Sequence, residues 1–119
     1  MGKKVLVVDD DPLYLDLVRD IFAVKDIEVQ AARKGAEALA LLKSCTPAFI
    51  MSDFDMPDMN GMEFHAHLQK DERTKRIPFA FLTGSADAIL SRYVRDNNLQ
   101  LFNKLDVVNE LLRLSETLK

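Results

Sequence analysis

At 119 residues, with 48% hydrophobic and 29% charged residues, the chain has the size and mix of a single soluble globular domain that can bury one core without disulfide or metal staples. A net charge of −3 with dispersed lysines and arginines argues against direct nucleic-acid binding, which needs clustered positive charge. No apolar run approaches the roughly 18 residues of a membrane span, the four apolar residues after Lys4 are too few for a signal peptide, and the lone Cys45 cannot form an internal disulfide, so a cytoplasmic setting is expected.

The apolar run 5–8 lacks polar alternation and is expected as a strand buried on both faces, hence central and parallel. Asp11 as N-cap, Pro12 at the first helical position and the apolar spacing Leu13, Leu17, Ile21 predict a first helix ending near Lys25. Segment 27–31 alternates and is expected at a sheet edge. A second helix is expected over about 35–43 with Ala36, Leu39 and Ala40 inward, and Cys45, Thr46 and Pro47 then connect to a second buried strand over 48–51. Gly61, after Asn60, is expected to supply an unusual backbone angle before a third helix over about 62–69. Arg73, Lys75 and Arg76 read as a solvated loop before Pro78 and the buried strand 79–82. A fourth helix over about 86–96 stops at Asn97-Asn98, and Leu99-Gln100-Leu101, leading toward Asn103, forms the other alternating edge. The last helix begins after Asp106, read as its N-cap, and carries Val107, Leu111, Leu114 and Leu118 on one face.

With no repeat, low-complexity tract or linker, residues 1–119 are expected to form one α/β domain. Five β-α units with right-handed crossovers place helices on both faces of a doubly wound, five-stranded parallel sheet with five helices, for which strand order 2-1-3-4-5 is expected. Such sheets bind ligands beyond the C-terminal strand ends at the switch in strand order, which falls between the first and third strands.

Both of those strands end in acid. Asp9-Asp10 and Asp53 should converge at one edge, where two carboxylates about 4 Å apart repel by about 4 kcal/mol at an effective dielectric near 20. Either a pKa rises or a cation binds. Oxygen-only ligands suit Mg²⁺, with Mn²⁺ as the alternative. Capping alone accounts for Asp11 but leaves Asp53 unexplained. Thr83 at the end of the fourth strand and Lys104 after the fifth add a hydroxyl and an ammonium at the same rim, the components of a phosphoryl-transfer site.

Val5-Leu-Val-Val-Asp-Asp-Asp-Pro12, Phe49-Ile-Met-Ser-Asp-Phe-Asp-Met-Pro-Asp-Met-Asn-Gly61, Phe81-Leu-Thr-Gly84 and Lys104 resemble the four signature segments of the response-regulator receiver domains of two-component systems. The resemblance spans essentially the whole chain and, in fold, points to the flavodoxin-like, single-domain chemotaxis-regulator type. It implies Asp53 as phosphoacceptor, Asp10 as direct metal ligand, Asp9 acting through water, and Asp55 offering its backbone carbonyl to the metal. It further implies that Thr83 and Lys104 contact phosphoryl oxygens. The implied donor is a sensor histidine kinase or a histidine phosphotransfer protein, with small donors such as acetyl phosphate also serving. The implied output is a conformational switch acting on a partner or output domain, and the only catalysis is the domain's own phosphorylation and dephosphorylation.

A haloacid-dehalogenase-type hydrolase would share the Asp53-Phe54-Asp55 pattern, but that family resembles this chain less: Pro57 stands where its hydroxyl residue belongs, and half the domain precedes the motif. His65 and His67 lie two apart on a helix and form no i, i+4 metal pair, so surface or partner contact is expected of them. Met51, Met56, Met59 and Met62 read as core and loop packing.

The chain departs from the family where its switch usually lies. Receivers generally place an aromatic residue three positions before the lysine; here that position is Leu101, with Phe102 one place later. In a regular strand Phe102 faces the other side, although the stretch from Thr83 to Lys104 looks one residue short, which leaves a bulge as the alternative. The proline that usually follows the lysine is Leu105, and because a cis bond there would cost roughly 2.5–4 kcal/mol, a trans Lys104–Leu105 peptide is expected.

Overall fold

A computed structural model of the chain describes residues 3–84 and 88–117. The elements follow in strict alternation: β1 (Lys4–Val8), α1 (Pro12–Ala23), β2 (Glu28–Ala32), α2 (Gly35–Leu42), β3 (Phe49–Asp53), α3 (Gly61–Gln69), β4 (Phe79–Thr83), α4 (Ala88–Asp96), β5 (Gln100–Asn103) and α5 (Val107–Thr117), the last entered through a 3-10 turn at Lys104–Asp106. The strands form one parallel sheet in the order β2-β1-β3-β4-β5. The two alternating segments lie at the edges, as their half-polar pattern requires.

Side chains on successive strand residues point to opposite faces, so each central strand feeds two cores. Val5, Val7, Met51, Ala80, Leu82 and Phe102 pack under α1 and α5, against Leu15, Val18, Phe22, Leu111 and Leu114. Leu6, Val8, Ile50, Phe79 and Phe81 pack under α2, α3 and α4, against Ala38, Leu42, Phe64, Leu68 and Leu90. With both faces covered, β1, β3 and β4 are buried almost throughout.

Two helices present a different face from the one their spacing predicts. On α1 the buried residues are Leu15, Val18 and Phe22, whereas Leu13 and Leu17 are 78% and 41% exposed and Ile21 only flanks the core. The helix carries two interleaved apolar stripes, and the sheet takes the one bearing Phe22. On α2 the inward residues are Gly35, Ala38 and Leu42; Ala36 and Ala40 face solvent, and Leu39 is partly buried. The expected N-cap of α1 is found. Asp11 accepts a hydrogen bond from the Leu13 amide at 3.0 Å, and Asn60 forms a reciprocal capping box with Glu63 (2.8 and 3.1 Å) at the start of α3. Asp106 sits inside the 3-10 turn and accepts from the side-chain amide of Asn109 at 3.0 Å. Ala86 and Leu118 lie outside the described residues, as does the side chain of Val107.

Gly61 has no positive φ; that angle occurs at Asp26 and Asn98, in the turns after α1 and α4. Gly61 is required for closeness instead. A Cβ there would stand 2.7 Å from Phe81 Cε1 and 2.8 Å from the Asp53 carbonyl oxygen. Arg73 is likewise more than a solvated charge, since it donates to the carbonyls of Leu42 and Lys43 and so closes the C-terminal end of α2. No described helix is long and apolar enough to cross a membrane.

Candidate functional site: an acidic rim bridged by a lysine

Asp9 follows β1 directly, its amide tied to the Ala32 carbonyl of β2 at 2.9 Å, and its side chain is fully buried. One carboxylate oxygen accepts from the Asp11 amide at 2.9 Å; the other lies 2.5 Å from Lys104 Nζ as an ion pair. Asp10 is exposed, and its carbonyl accepts from Arg33 at 3.1 Å. Asp53 closes β3 with its Oδ2 3.1 Å from the same Lys104 Nζ. Carboxylate oxygens of Asp9, Asp10 and Asp53 all lie within 4.8 Å of one another.

Lys104 thus bridges two strands' worth of acid. Burial opposes its charge, but Asp9 and Asp53 outweigh that and hold its pKa above the ordinary lysine value. Burial lifts the Asp53 carboxyl above its ordinary value; Lys104 pulls it down and the Asp9 charge adds to the rise. Three carboxylates against one ammonium leave the group net negative, and two carboxylates about 5 Å apart repel by roughly 3 kcal/mol at an effective dielectric near 20. An all-oxygen, partly exposed, net-negative cluster is a donor set that fits a hard divalent cation.

Thr83 ends β4, half-buried, in register with Asn103 of β5, while Asp53 stands opposite Leu82. Thr83 is therefore one step nearer the rim than Asp53. Asp55 is exposed, pairs through its backbone with Asn60, and adds no carboxylate to the cluster. The loop that holds it is pinned elsewhere as well. Both carboxylate oxygens of Asp58 accept amides at the start of α2, from Gly35 at 2.9 Å and Ala36 at 2.8 Å, and these bonds hold its pKa below the ordinary value. The Gly61 amide donates to the Phe54 carbonyl at 2.6 Å.

Three participants escaped the sequence reading. Tyr14 lies beneath Lys104 Nζ, 4.9 Å from ring centroid to nitrogen, a contact no spacing rule contains. Asp58 had a weak signal, an acid within a loop that ends in glycine. His65, expected at the surface, is instead 3% exposed: its Nδ1 is 2.7 Å from the Tyr93 hydroxyl, its ring packs on Phe79, and burial holds its pKa below the ordinary value. His67 is exposed as expected. Met51 is in the α1/α5 core, whereas Met56, Met59 and Met62 pack partly buried against the core on the other face of the sheet.

At β5 the regular strand prevails over the bulge. Phe81 pairs with Leu101 and Leu82 with Phe102, so Phe102 faces the α1/α5 core while Leu101, 38% exposed, lies on the α4 side. No peptide bond among the described residues is cis, Lys104–Leu105 included.

Residues 5–108 match the family model described as the response regulator receiver domain. A curated relative, the polar-differentiation response regulator DivK of Brucella ovis, is 34% identical over 86 residues, which is 72% of this chain and 70% of DivK. Among solved structures, the chemotaxis response regulator CheY4 of Vibrio cholerae superposes with a TM-score of 0.80 at 27% identity, covering 95% of this chain and 98% of CheY4. The phosphorylated cyanobacterial phytochrome response regulator RcpA shares the fold, with a TM-score of 0.83 at 24% identity over 98% and 91% of the two chains. The strand order, the acidic rim at its switch point and these likenesses agree, and the chain belongs to the response regulator receiver domain family.

Proposed function

We propose that this receiver domain, a phosphoacceptor of two-component signalling, takes its phosphoryl group onto Asp53, from a phosphohistidine on a sensor kinase or phosphotransfer protein in the cytoplasm. The observation that carries the reading is Lys104 Nζ held between Asp9 and Asp53 at the C-terminal strand ends. In the transfer, a carboxylate oxygen of Asp53 forms a bond to phosphorus as the bond from phosphorus to the imidazole nitrogen breaks, and the electron pair leaves with the imidazole. Lys104 shifts from carboxylate to phosphoryl oxygen, and the Thr83 hydroxyl donates to another. Both neutralise charge that water would otherwise have to reorganise around.

Asp9, Asp10 and Asp53 would hold Mg²⁺ or Mn²⁺, with Asp10 as direct ligand, Asp9 through water and Asp55 through its backbone carbonyl. The cation supplies charge neutralisation for the incoming phosphoryl oxygens. The domain catalyses only its own phosphorylation and dephosphorylation, and output passes through α4 and β5 to a partner or output domain.

The test is incubation with acetyl phosphate and Mg²⁺, read by intact mass. Wild-type protein should gain one phosphoryl increment that hydroxylamine removes; chelation and Asp53→Ala should each abolish it. A hydroxylamine-labile phosphate on Asp53→Ala would disprove the assignment. Metal titration should show a larger loss for Asp10→Ala than for Asp9→Ala, and p-nitrophenyl phosphate should turn over negligibly, in contrast to a dehalogenase-type hydrolase.

A further inference from the structure

Lys104 reaches the acidic rim across the face of an aromatic ring. Its Nζ is 4.9 Å from the centroid of Tyr14, on the first turn of α1, in addition to its contacts with Asp9 and Asp53. Tyr14 is partly buried against the α1/α5 core, and its hydroxyl is shut away from solvent with no hydrogen-bond partner among the described residues. Burial, then the charges of Asp9 and Asp53, push its ionisation far above the ordinary tyrosine value, so the ring stays neutral. With its hydroxyl unpartnered among the described residues, the π face is what Tyr14 offers the ammonium.

Lys104 has two kinds of contact with opposite futures. The carboxylate contacts change when Asp53 is phosphorylated, because one acceptor becomes an acyl phosphate. The ring contact is made to a group that the transfer leaves chemically unchanged. A lysine side chain is long and rotamer-rich, and a contact that persists through the reaction keeps its charge from straying into solvent.

We propose that Tyr14 is a positioning residue for Lys104: its ring face holds the ammonium over the acidic rim, so that the charge is in place before and after the phosphoryl group arrives. This rests on the reading of Asp53 as acceptor, but its structural half can be tested without any phosphodonor. In the full chain, the Lys104 ε-methylene protons, assigned by their loss in Lys104→Met, should be shifted upfield by the Tyr14 ring in metal-free, unphosphorylated protein. Tyr14→Phe should keep that shift and Tyr14→Leu should lose it. At saturating Mg²⁺ and fixed acetyl phosphate, Tyr14→Leu should be phosphorylated roughly three- to tenfold more slowly, the scale of a partly desolvated cation–π contact, and Tyr14→Phe should restore the rate.

An unshifted Lys104 methylene in wild-type protein overturns the proposal whether or not any variant folds. So does a Tyr14→Leu protein that loses the ring shift yet is phosphorylated at the wild-type rate, or a Tyr14→Phe protein as slow as Tyr14→Leu, which would move the role to the hydroxyl. If wild-type protein shows the ring shift but gains no phosphate at Asp53, the acceptor reading fails and the ring contact stands.

Discussion

Gly61 and Gly35 offer a paired test of how closely the rim is packed. Both open helices, both are buried and neither needs a positive φ, so alanine is acceptable to the backbone at each. The added methyl would meet very different neighbours. At Gly61 it would stand 2.8 Å from the Asp53 carbonyl oxygen, 3.1 Å from Phe54 Cα and 2.7 Å from the Phe81 ring, two of the three being backbone atoms of the strand end that carries the candidate acceptor. At Gly35 all three near contacts, 2.5–2.9 Å, belong to the Met59 side chain, which can swing away. Overpacking costs about 1–3 kcal/mol, and losing a glycine from the unfolded chain returns about 0.4–1 kcal/mol, so Gly61→Ala should destabilise by about 1–2 kcal/mol. With an unfolding entropy of roughly 2.1 cal/mol/K per residue over 119 residues, that is a fall in Tm of about 4–8 °C. Relief of the clash must push on Asp53, so acetyl phosphate labelling should slow by roughly tenfold or more. Gly35→Ala should stay within about 0.5 kcal/mol of wild type and label normally. Calorimetry and labelling of the two proteins side by side decide the matter: equal behaviour, or a Gly61→Ala protein as stable and as quick to label as wild type, would refute the contact argument.

Burial holds the folded pKa of His65 below 6.5, so the unfolded chain binds its proton first as pH falls. Its contribution is intact above about pH 6.5 and lost as pH drops toward the folded value; urea midpoints between about pH 7.5 and 5.5 should show this slope, and His65→Phe should flatten it. Asn60→Ala removes the capping box of α3 and should cost about 1 kcal/mol, read as a shift in denaturant midpoint at unchanged slope. Because Phe102 is committed to the α1/α5 core and Leu101 occupies the α4 side, activation with beryllofluoride should leave the Phe102 rotamer unchanged. An inward swing of Phe102 in a crystal structure of the beryllofluoride complex would contradict this.

The order of elements, the sheet topology and the meeting of Asp9, Asp10, Asp53 and Lys104 could all be read from the sequence. The elements follow from local patterns, namely buried strand runs and acids at strand ends, and the two alternating segments mark which strands lie at the edges of the parallel sheet. What failed depended on neighbours far away in the chain. On α1 the stripe Leu13, Leu17, Ile21 and the stripe Leu15, Val18, Phe22 are both helical, and only docking on the sheet selects between them. The same holds for α2, where Ala38 rather than Ala36 or Ala40 meets the strands. His65 is expected at the surface from the sequence alone, and its burial depends on Phe79 from β4 and Tyr93 from α4. Gly61 signalled that something small was needed; backbone crowding supplied the reason rather than an unusual angle.

The loop between β3 and α3 is fastened at four points: Asp58 to the start of α2, Asp55 paired with Asn60, Gly61 to Phe54, and Asn60 to Glu63. A segment so tied has already given up much of its conformational freedom during folding, so little remains to be lost when a cation or phosphoryl group arrives. Recognition at this rim should then carry the calorimetric signature of a rigid receptor, with little change in heat capacity and little entropic penalty from the chain. The amides of Gly35, Ala36, Gly61 and Glu63 should resist exchange with deuterated solvent as well before the ligand comes as after it.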